Sequence, residues 1–285
     1  AEISSFQMEK AKEFHPHISA VLNITPDHLN RHKTMEVYIA MKERVFAKQT
    51  AEDFCILNHA DEACRKMAGK TGARVFFFSS AEKLQEGIYL DGDAIEVRWG
   101  DIRETLIHVD ELQILGVHNY ENVMAAAAMA ICAGISLDAI RKVLKEFAGV
   151  AHRIEYVATV DGVDYYNDSK GTNPDAAIKG IQAMNRPTLL IGGGYDKKSS
   201  YDEWIESFDG KVRYLVLIGQ TKEKIKAAAE RLGFTDIILC EDLKEAVRVC
   251  AEKANPGDAV LLSPACASWG QFDNYEQRGD MFKVY

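Results

Sequence analysis

The 285-residue chain lacks any excess of positive charge: 34 Lys and Arg stand against 43 Asp and Glu, a net charge of −9. Nucleic acid is therefore not expected as a main partner, because phosphate backbones are bound by basic faces. A small anion held by a few local cations remains compatible with that balance. The six cysteines, at 55, 64, 132, 240, 250 and 266, form no CxxC pair and no zinc-knuckle spacing. Cys132, Cys240 and Cys250 lie in apolar runs and read as small core residues, which suits a reducing cytoplasmic setting. No run reaches the roughly 20 apolar residues of a membrane helix, and AEISSFQMEKAKEF, the first 14 residues, lacks the basic start and apolar centre of a signal peptide. Repeats and low-complexity segments are missing as well.

A phosphate loop is also missing. AGKTGA (68–73) contains Gly69-Lys70-Thr71, but the pattern needs a glycine at 64, where Cys64 stands, and the preceding run is helical. That stretch is a helix end and a turn. IGGGYDKKSS (191–200) does not complete a dinucleotide fingerprint either.

With 47% hydrophobic residues, the chain has ample material for packed cores. Its length favours two domains. AEISSF opens strand-like, and ISAVLNIT (18–25) reads as a buried strand ended by Pro26. A helix follows with Thr34 as its N-cap and an apolar stripe of Tyr38, Met41, Val45 and Phe46. DFCILN and RVFFFSS read as strands flanking a short helix near 61–68. Residues 86–115 form a hairpin meander with Asp-Gly turns. HNYENVMAAAAMAICAG is a strong helix, with Asn119 as N-cap and Gly134 as its stop, and a second helix spans 137–147. From 153 a hairpin with an Asp-Gly turn at 161–162 leads into short apolar strands alternating with helices. That alternation predicts a doubly wound parallel sheet. The fold class is thus α/β, with domains at 1–150 and 151–285.

Three polar stretches carry chemistry. In NDSKGTN (167–173), Asn173, Pro174 and Asp175 serve the next helix as cap and first turn. Asp168, Ser169, Lys170 and Thr172 are left without that explanation; beside a helix start they can hold a phosphate, its metal or a carboxylate, or form an ordinary solvated loop. The glycines of 192–194 admit either a close ligand or a plain turn, with Lys197 and Lys198 beside them. In LLSPACASWGQFDNYEQRGD (261–280), Ser263, Ser268, Gln271 and Asn274 can meet a polar ligand and Tyr275 can wall it; Cys266 has small apolar neighbours and no base, so it reads as structural. The stretches at 192–198 and 263–268 both follow predicted parallel strands, whose carboxyl ends share the ligand-binding edge. Lys42 falls on an apolar stripe. Its stem can be buried with the ammonium in water, or a neutral amine there can take up carbon dioxide as a metal-binding carbamate. Glu2 and His28 can together serve a hard cation, since Mg²⁺ typically takes one or two protein ligands.

Seven segments occur in order that resemble the Mur ligases, ATP-dependent amide-forming enzymes of peptidoglycan synthesis: EISSFQ (2–7), LNITPDHLNRH (22–32), YIAMKERVF (38–46), HNYENVMAAAAMA (118–130), AHRIE (151–155), NDSKGTN (167–173) and LLSPACASWGQFDNYEQRG (261–279). The resemblance spans essentially the whole chain, and the last two segments are similar to the D-glutamate-adding branch. It implies a partial central ATPase-type α/β domain followed by a Rossmann-like C-terminal domain. An N-terminal uridine-nucleotide domain and the phosphate loop precede EISSF in the family's order, so the chain reads as a fragment, expected to be inactive alone.

The resemblance further implies Mg²⁺ ligation by Glu2, His28 and carbamylated Lys42, with Lys42, His28 and Lys170 catalytic. It implies ATP contacts from Asn119, Arg153, Asp168 and Lys170, and D-glutamate contacts from Thr172, Lys197, Ser268 and Tyr275, the last replacing an expected Phe. The substrates would be ATP, UDP-N-acetylmuramoyl-L-alanine and D-glutamate, joined through an acyl phosphate by a cytoplasmic monomer. Two alternatives remain: a ligase of the same superfamily adding another amino acid, and a non-catalytic nucleotide- or amino-acid-binding module.

Overall fold

The computed structural model describes residues 1–285, which separate into two compact units. One comprises Ala1–Leu112 and Val117–Glu146, the other Gln113–Gly116 and Phe147–Tyr285. Both are α/β, each built on a sheet rich in parallel pairing, as the strand–helix alternation predicts for the second. No helix is long and apolar enough to cross a membrane.

The first unit runs α1 (Ser5–Lys10), β1 (Ile18–Val21), α2 (Leu29–His32), α3 (Met35–Glu43), β2 (Phe54–Asn58), α4 (Glu62–Met67), β3 (Arg74–Ser79), β4 (Gly87–Asp91), β5 (Ala94–Trp99), β6 (Ile102–His108), α5 (Val117–Cys132) and α6 (Leu137–Glu146). The sheet follows chain order, β1 to β6; β1 to β4 pair parallel and β4 to β6 antiparallel. Helix α5 lies across β1 to β4, burying Val123, Met124 and a run of alanines whose small side chains suit close packing on a sheet.

Four expectations need correction here. The AEISSF segment, with Glu2 in it, is not a strand. Ser4 accepts a hydrogen bond from the Gln7 amide, and the Gln7 side chain accepts one from the Ser4 amide. This reciprocal capping box satisfies two orphan donors and starts α1 at Ser5. Strand β1 ends at Val21, not at residue 25. The meander turns are Gly92-Asp93 and Gly100-Asp101 rather than Asp-Gly, each glycine supplying the left-handed residue first (φ 61° and 56°). Helix α5 begins at Val117, so Asn119 lies within its first turn and is not the N-cap. By contrast, Thr34 caps α3 through the Val37 amide, and Gly134 (φ 78°) ends α5 as expected.

The second unit runs β7 (Glu155–Val160), β8 (Val163–Asn167), α7 (Pro174–Ala183), β9 (Thr188–Gly193), α8 (Asp202–Glu206), β10 (Val212–Ile218), α9 (Lys222–Arg231), β11 (Ile237–Leu239), α10 (Leu243–Lys253), β12 (Ala259–Leu262) and α11 (Tyr275–Val284). Strand order is β11-β10-β9-β12-β8-β7, with only the β7–β8 hairpin antiparallel. The hairpin turns on Asp161-Gly162, both at positive φ, as the sequence predicts. Because side chains alternate across a strand, Leu190, Leu215, Leu217 and Leu261 face one core with Trp204 and Ile225. Leu189, Ile191, Val216, Val260 and Leu262 face the other, with Val247 and Phe282. From β9 the chain winds outward to β11 and then returns through α10 to β12 on the other side of β9. The carboxyl ends of β9 and β12 therefore flank the reversal point, where doubly wound sheets open a crevice.

Candidate functional site

Three loops leave that edge of the second unit: 168–173 after β8, 194–200 after β9 and 263–274 after β12. They are joined to one another. Ser263 Oγ donates to Asp168 Oδ2 at 2.6 Å, while the Asp168 amide donates to the Leu262 carbonyl at 2.7 Å. Tyr195 and Ala267 form a β-bridge, the Tyr195 amide donating to the Ala267 carbonyl at 2.9 Å. Lys197 Nζ lies 3.5 Å from the Thr172 carbonyl oxygen. Asp168, Lys170, Thr172, Lys197 and buried Ser268 therefore belong to one connected loop cluster.

Glycines make this joining possible, though for a different reason from the one their sequence suggested. At Gly194 (φ 151°) a Cβ would lie 2.4 Å from the Ala267 carbonyl oxygen, and at Gly193 (φ 99°) 2.2 Å from that of Ile218. They admit neighbouring backbones rather than a ligand.

Asp168 is a buried carboxyl whose oxygens both face inward, Oδ2 to Ser263 and Oδ1 to the Ile154 amide at 3.3 Å. Burial pushes its pKa up to about 7, against the lowering effect of those hydrogen bonds and of the Arg153 and Arg278 charges. Asn173 caps α7 through the Ala176 amide, as predicted, and Asn274 caps α11 through the Gln277 amide. The Asn274 oxygen expected to meet a ligand is thus engaged by the helix.

The two lysines are held unusually. Lys170 Nζ lies 5.1 Å from the Tyr275 ring centroid and Lys197 Nζ 5.5 Å from that of Trp269. Neither forms an ion pair with a carboxylate, and Asp196, beside Lys197, is taken by Lys224 at 3.1 Å. Aromatic faces orient an ammonium without neutralising it. No carboxylate competes for either ammonium. Arg153 is exposed close by in sequence.

Sequence reasoning missed the residue that organises this cluster. Arg278, on α11, is wholly buried; Nη2 donates to the Ser169 carbonyl at 2.7 Å, Nε to Ser169 Oγ at 2.9 Å and Nη1 to the Cys266 carbonyl at 3.1 Å. One guanidinium thus ties the loop after β8 to the loop after β12, with desolvation lowering its pKa to about 10. The available signal was the QRG run (277–279), an arginine followed by a glycine inside a helix. His152 was also missed: it is buried at φ 65°, and its Nδ1 lies 3.0 Å from Asn167 Nδ2. Cys266 is buried between the Tyr201 hydroxyl at 3.1 Å and Thr221 Oγ1 at 3.3 Å, and burial pushes its thiol up, consistent with a structural role.

In the first unit, Phe6 connects two predicted regions. Its ring centroid lies 4.8 Å from that of His28 and 5.5 Å from that of His32; His32 lies 5.6 Å from Tyr38, and Lys42 Nζ lies 5.7 Å from the Tyr38 ring. Buried Ser5 is 3.0 Å from His32 Nε2. His28 sits in the left-handed region at the start of α2 and is half-exposed, with Asp27 Oδ2 3.2 Å from its Nε2. Lys42 is half-buried in the last turn of α3, Glu2 is exposed ahead of α1, and Asn119 is half-buried in α5. No group of three or more His, Cys, Asp or Glu converges as a resident metal centre would require.

Two doubly wound or mixed α/β units, one with a cationic loop cluster at its sheet's reversal point, place the chain in a defined class. It belongs to the Mur ligase family: residues 1–130 match the Mur ligase middle domain and residues 152–266 the Mur ligase glutamate ligase domain. The chain is 56% identical over 285 residues to the UDP-N-acetylmuramoylalanine–D-glutamate ligase of Lachnoclostridium phytofermentans and 55% identical over 283 to that of Lachnospira eligens. These matches cover 100% and 99% of the chain and 63% of each relative, so the chain spans less than two thirds of their length.

Among solved structures, the fold resembles a UDP-N-acetylmuramate–alanine ligase from Thermotoga maritima (TM-score 0.69, 17% identity, 98% of this chain and 60% of that one). It also resembles a MurF ligase from the same organism in complex with ADP (TM-score 0.63, 17% identity, 99% and 65%).

Proposed function

We propose that the chain is the middle and C-terminal part of an ATP-dependent ligase that adds D-glutamate to UDP-N-acetylmuramoyl-L-alanine in peptidoglycan precursor synthesis. The observation that carries this reading is 56% identity along the entire chain to a relative named for D-glutamate ligation. The loop cluster of the second unit supports it chemically. An amino acid with two carboxylates needs fixed cations and small polar groups, and the edge offers Lys197 beside the Thr172 carbonyl, with Ser268 buried and Tyr275 at the start of α11.

In this reading Thr172, Lys197, Ser268 and Tyr275 hold D-glutamate. Lys170, Arg153 and Asn119 address the ATP phosphates and nucleoside, with Asp168 at the base of the loop that carries Lys170. Cations there would offset charge on the phosphoryl group in transfer. Glu2, His28 and a carbamate on Lys42 would hold Mg²⁺, which when bound supplies further offset of phosphate charge. The terminal carboxylate of UDP-N-acetylmuramoyl-L-alanine attacks the γ-phosphorus of ATP and ADP leaves, giving an acyl phosphate. The D-glutamate amine then attacks the acyl carbon, and phosphate leaves with the C–O electron pair. The domain organisation proposed with it is a central ATPase part at 1–150 and an amino-acid-binding part at 151–285, in a cytoplasmic monomer.

The test is amide formation and phosphate release by the intact enzyme with ATP, UDP-N-acetylmuramoyl-L-alanine and D-glutamate, against lysine, diaminopimelate and glycine as competitors. D-glutamate is expected to be the sole efficient acceptor; preference for another amino acid overturns the reading. Within it, Lys197→Ala is expected to raise KM for D-glutamate about tenfold to a hundredfold, the loss of a charged hydrogen bond, and Lys198→Ala to change it less than twofold.

A further inference from the structure

Trp269 has no part in the function described so far, yet it sits where a core-building residue would not. It follows buried Ser268, is 56% exposed, and touches two residues of the neighbouring loop. The Tyr195 ring packs against it edge-on at 5.5 Å, and Lys197 Nζ lies over its ring at 5.5 Å. The Tyr195–Ala267 bridge fixes this register: Tyr195 precedes Lys197 by two residues and Ala267 precedes Trp269 by two. The loops are therefore zipped so that indole and ammonium meet. Asp196, the nearest carboxylate in sequence, is occupied by Lys224 and does not compete.

We propose that Trp269 is a positioning residue for Lys197, directing its charge at an anionic group of the amino-acid substrate. The role rests on the reading of this edge as the D-glutamate site. A carboxylate partner would hold Lys197 as well, but the substrate would have to displace it; an indole face holds the cation and leaves it available. Half its surface is in water, so Trp269 contributes little to packing.

The test compares W269L and W269F with wild type in the intact enzyme, with KM for D-glutamate and kcat measured separately. W269L is expected to raise KM about two- to fivefold, the contribution of an exposed cation–π contact, with kcat within twofold and the melting temperature unchanged. W269F, which keeps an aromatic face, is expected to fall nearer to wild type. Equal losses in W269F and W269L, a fall in kcat at constant KM, or a W269L enzyme indistinguishable from wild type overturns the proposal while leaving D-glutamate ligation intact. A wild-type enzyme that makes no amide with D-glutamate overturns the functional reading and this role with it.

Discussion

Replacing Asp168 by asparagine isolates the cost of a buried acid. In the folded chain its pKa is raised from 3.8 to about 7 by burial. The folded state thus binds a proton between those values that the unfolded chain has released, so this group's contribution to stability is fully present below pH 4 and is lost as pH rises through about 7. About three pK units at 1.36 kcal/mol each give a loss of roughly 4 kcal/mol by pH 8. Asparagine can accept from the Ile154 amide and donate to Ser263 Oγ, whose hydroxyl turns to accept. Asp168→Asn should therefore match wild type below about pH 4 and exceed it by a few kcal/mol at pH 8.

The assay is urea unfolding across that pH range, in a background with Trp99 and Trp269 changed to phenylalanine. Trp204, buried in a core of the second unit, is then the only indole reporter. A wild-type-minus-variant difference that is flat with pH, or that favours wild type more as pH rises, would refute the reasoning.

Two further substitutions probe the same cluster. Arg278→Leu strips donors from two buried carbonyls, Ser169 and Cys266, and should cost about 3 kcal/mol or more, read as a lower urea midpoint at unchanged slope. Gly279→Ala puts a Cβ 2.2 Å from His152 Nδ1 and 2.9 Å from the Asn167 side chain; a drop in melting temperature corresponding to about 3 kcal/mol is expected, and a neutral result would show that His152 is free to move aside.

Much of this fold was legible because local and global signals agree. The second unit's strands are short apolar runs bounded by turn residues, and their alternation with helices admits few topologies. Asp161-Gly162 and Asn173-Pro174 each sit where their chemistry demands. Failures came where two local signals compete. AEISSF looks extended by composition, but the Ser4–Gln7 capping box decides for helix. Asn119 resembles a cap, but Gly116 (φ 96°) turns the chain early enough for the helix to begin at Val117. The polar stretches at 192–198 and 263–268 could be placed on one edge because both follow predicted parallel strands, whose carboxyl ends share it. Arg278 could not be placed as their tie, because an arginine in a helical run ordinarily faces water, and only tertiary contact shows which carbonyls it reaches. The residues proposed to bind metal in the first unit rest on resemblance, since no spacing in the chain links Glu2, His28 and Lys42.

The Arg278 tie has a consequence for biosynthesis. The loop after β8 is complete long before Arg278 on the growing polypeptide and the loop after β12 just before it, yet the Ser169 and Cys266 carbonyls remain without this partner until residue 278 has left the ribosome. Nascent chains stalled anywhere short of α11 would carry Asp168, Lys170, Thr172, Lys197 and Ser268 without the clamp that orders their loops. Ordering of the two loops therefore waits on translation through that helix.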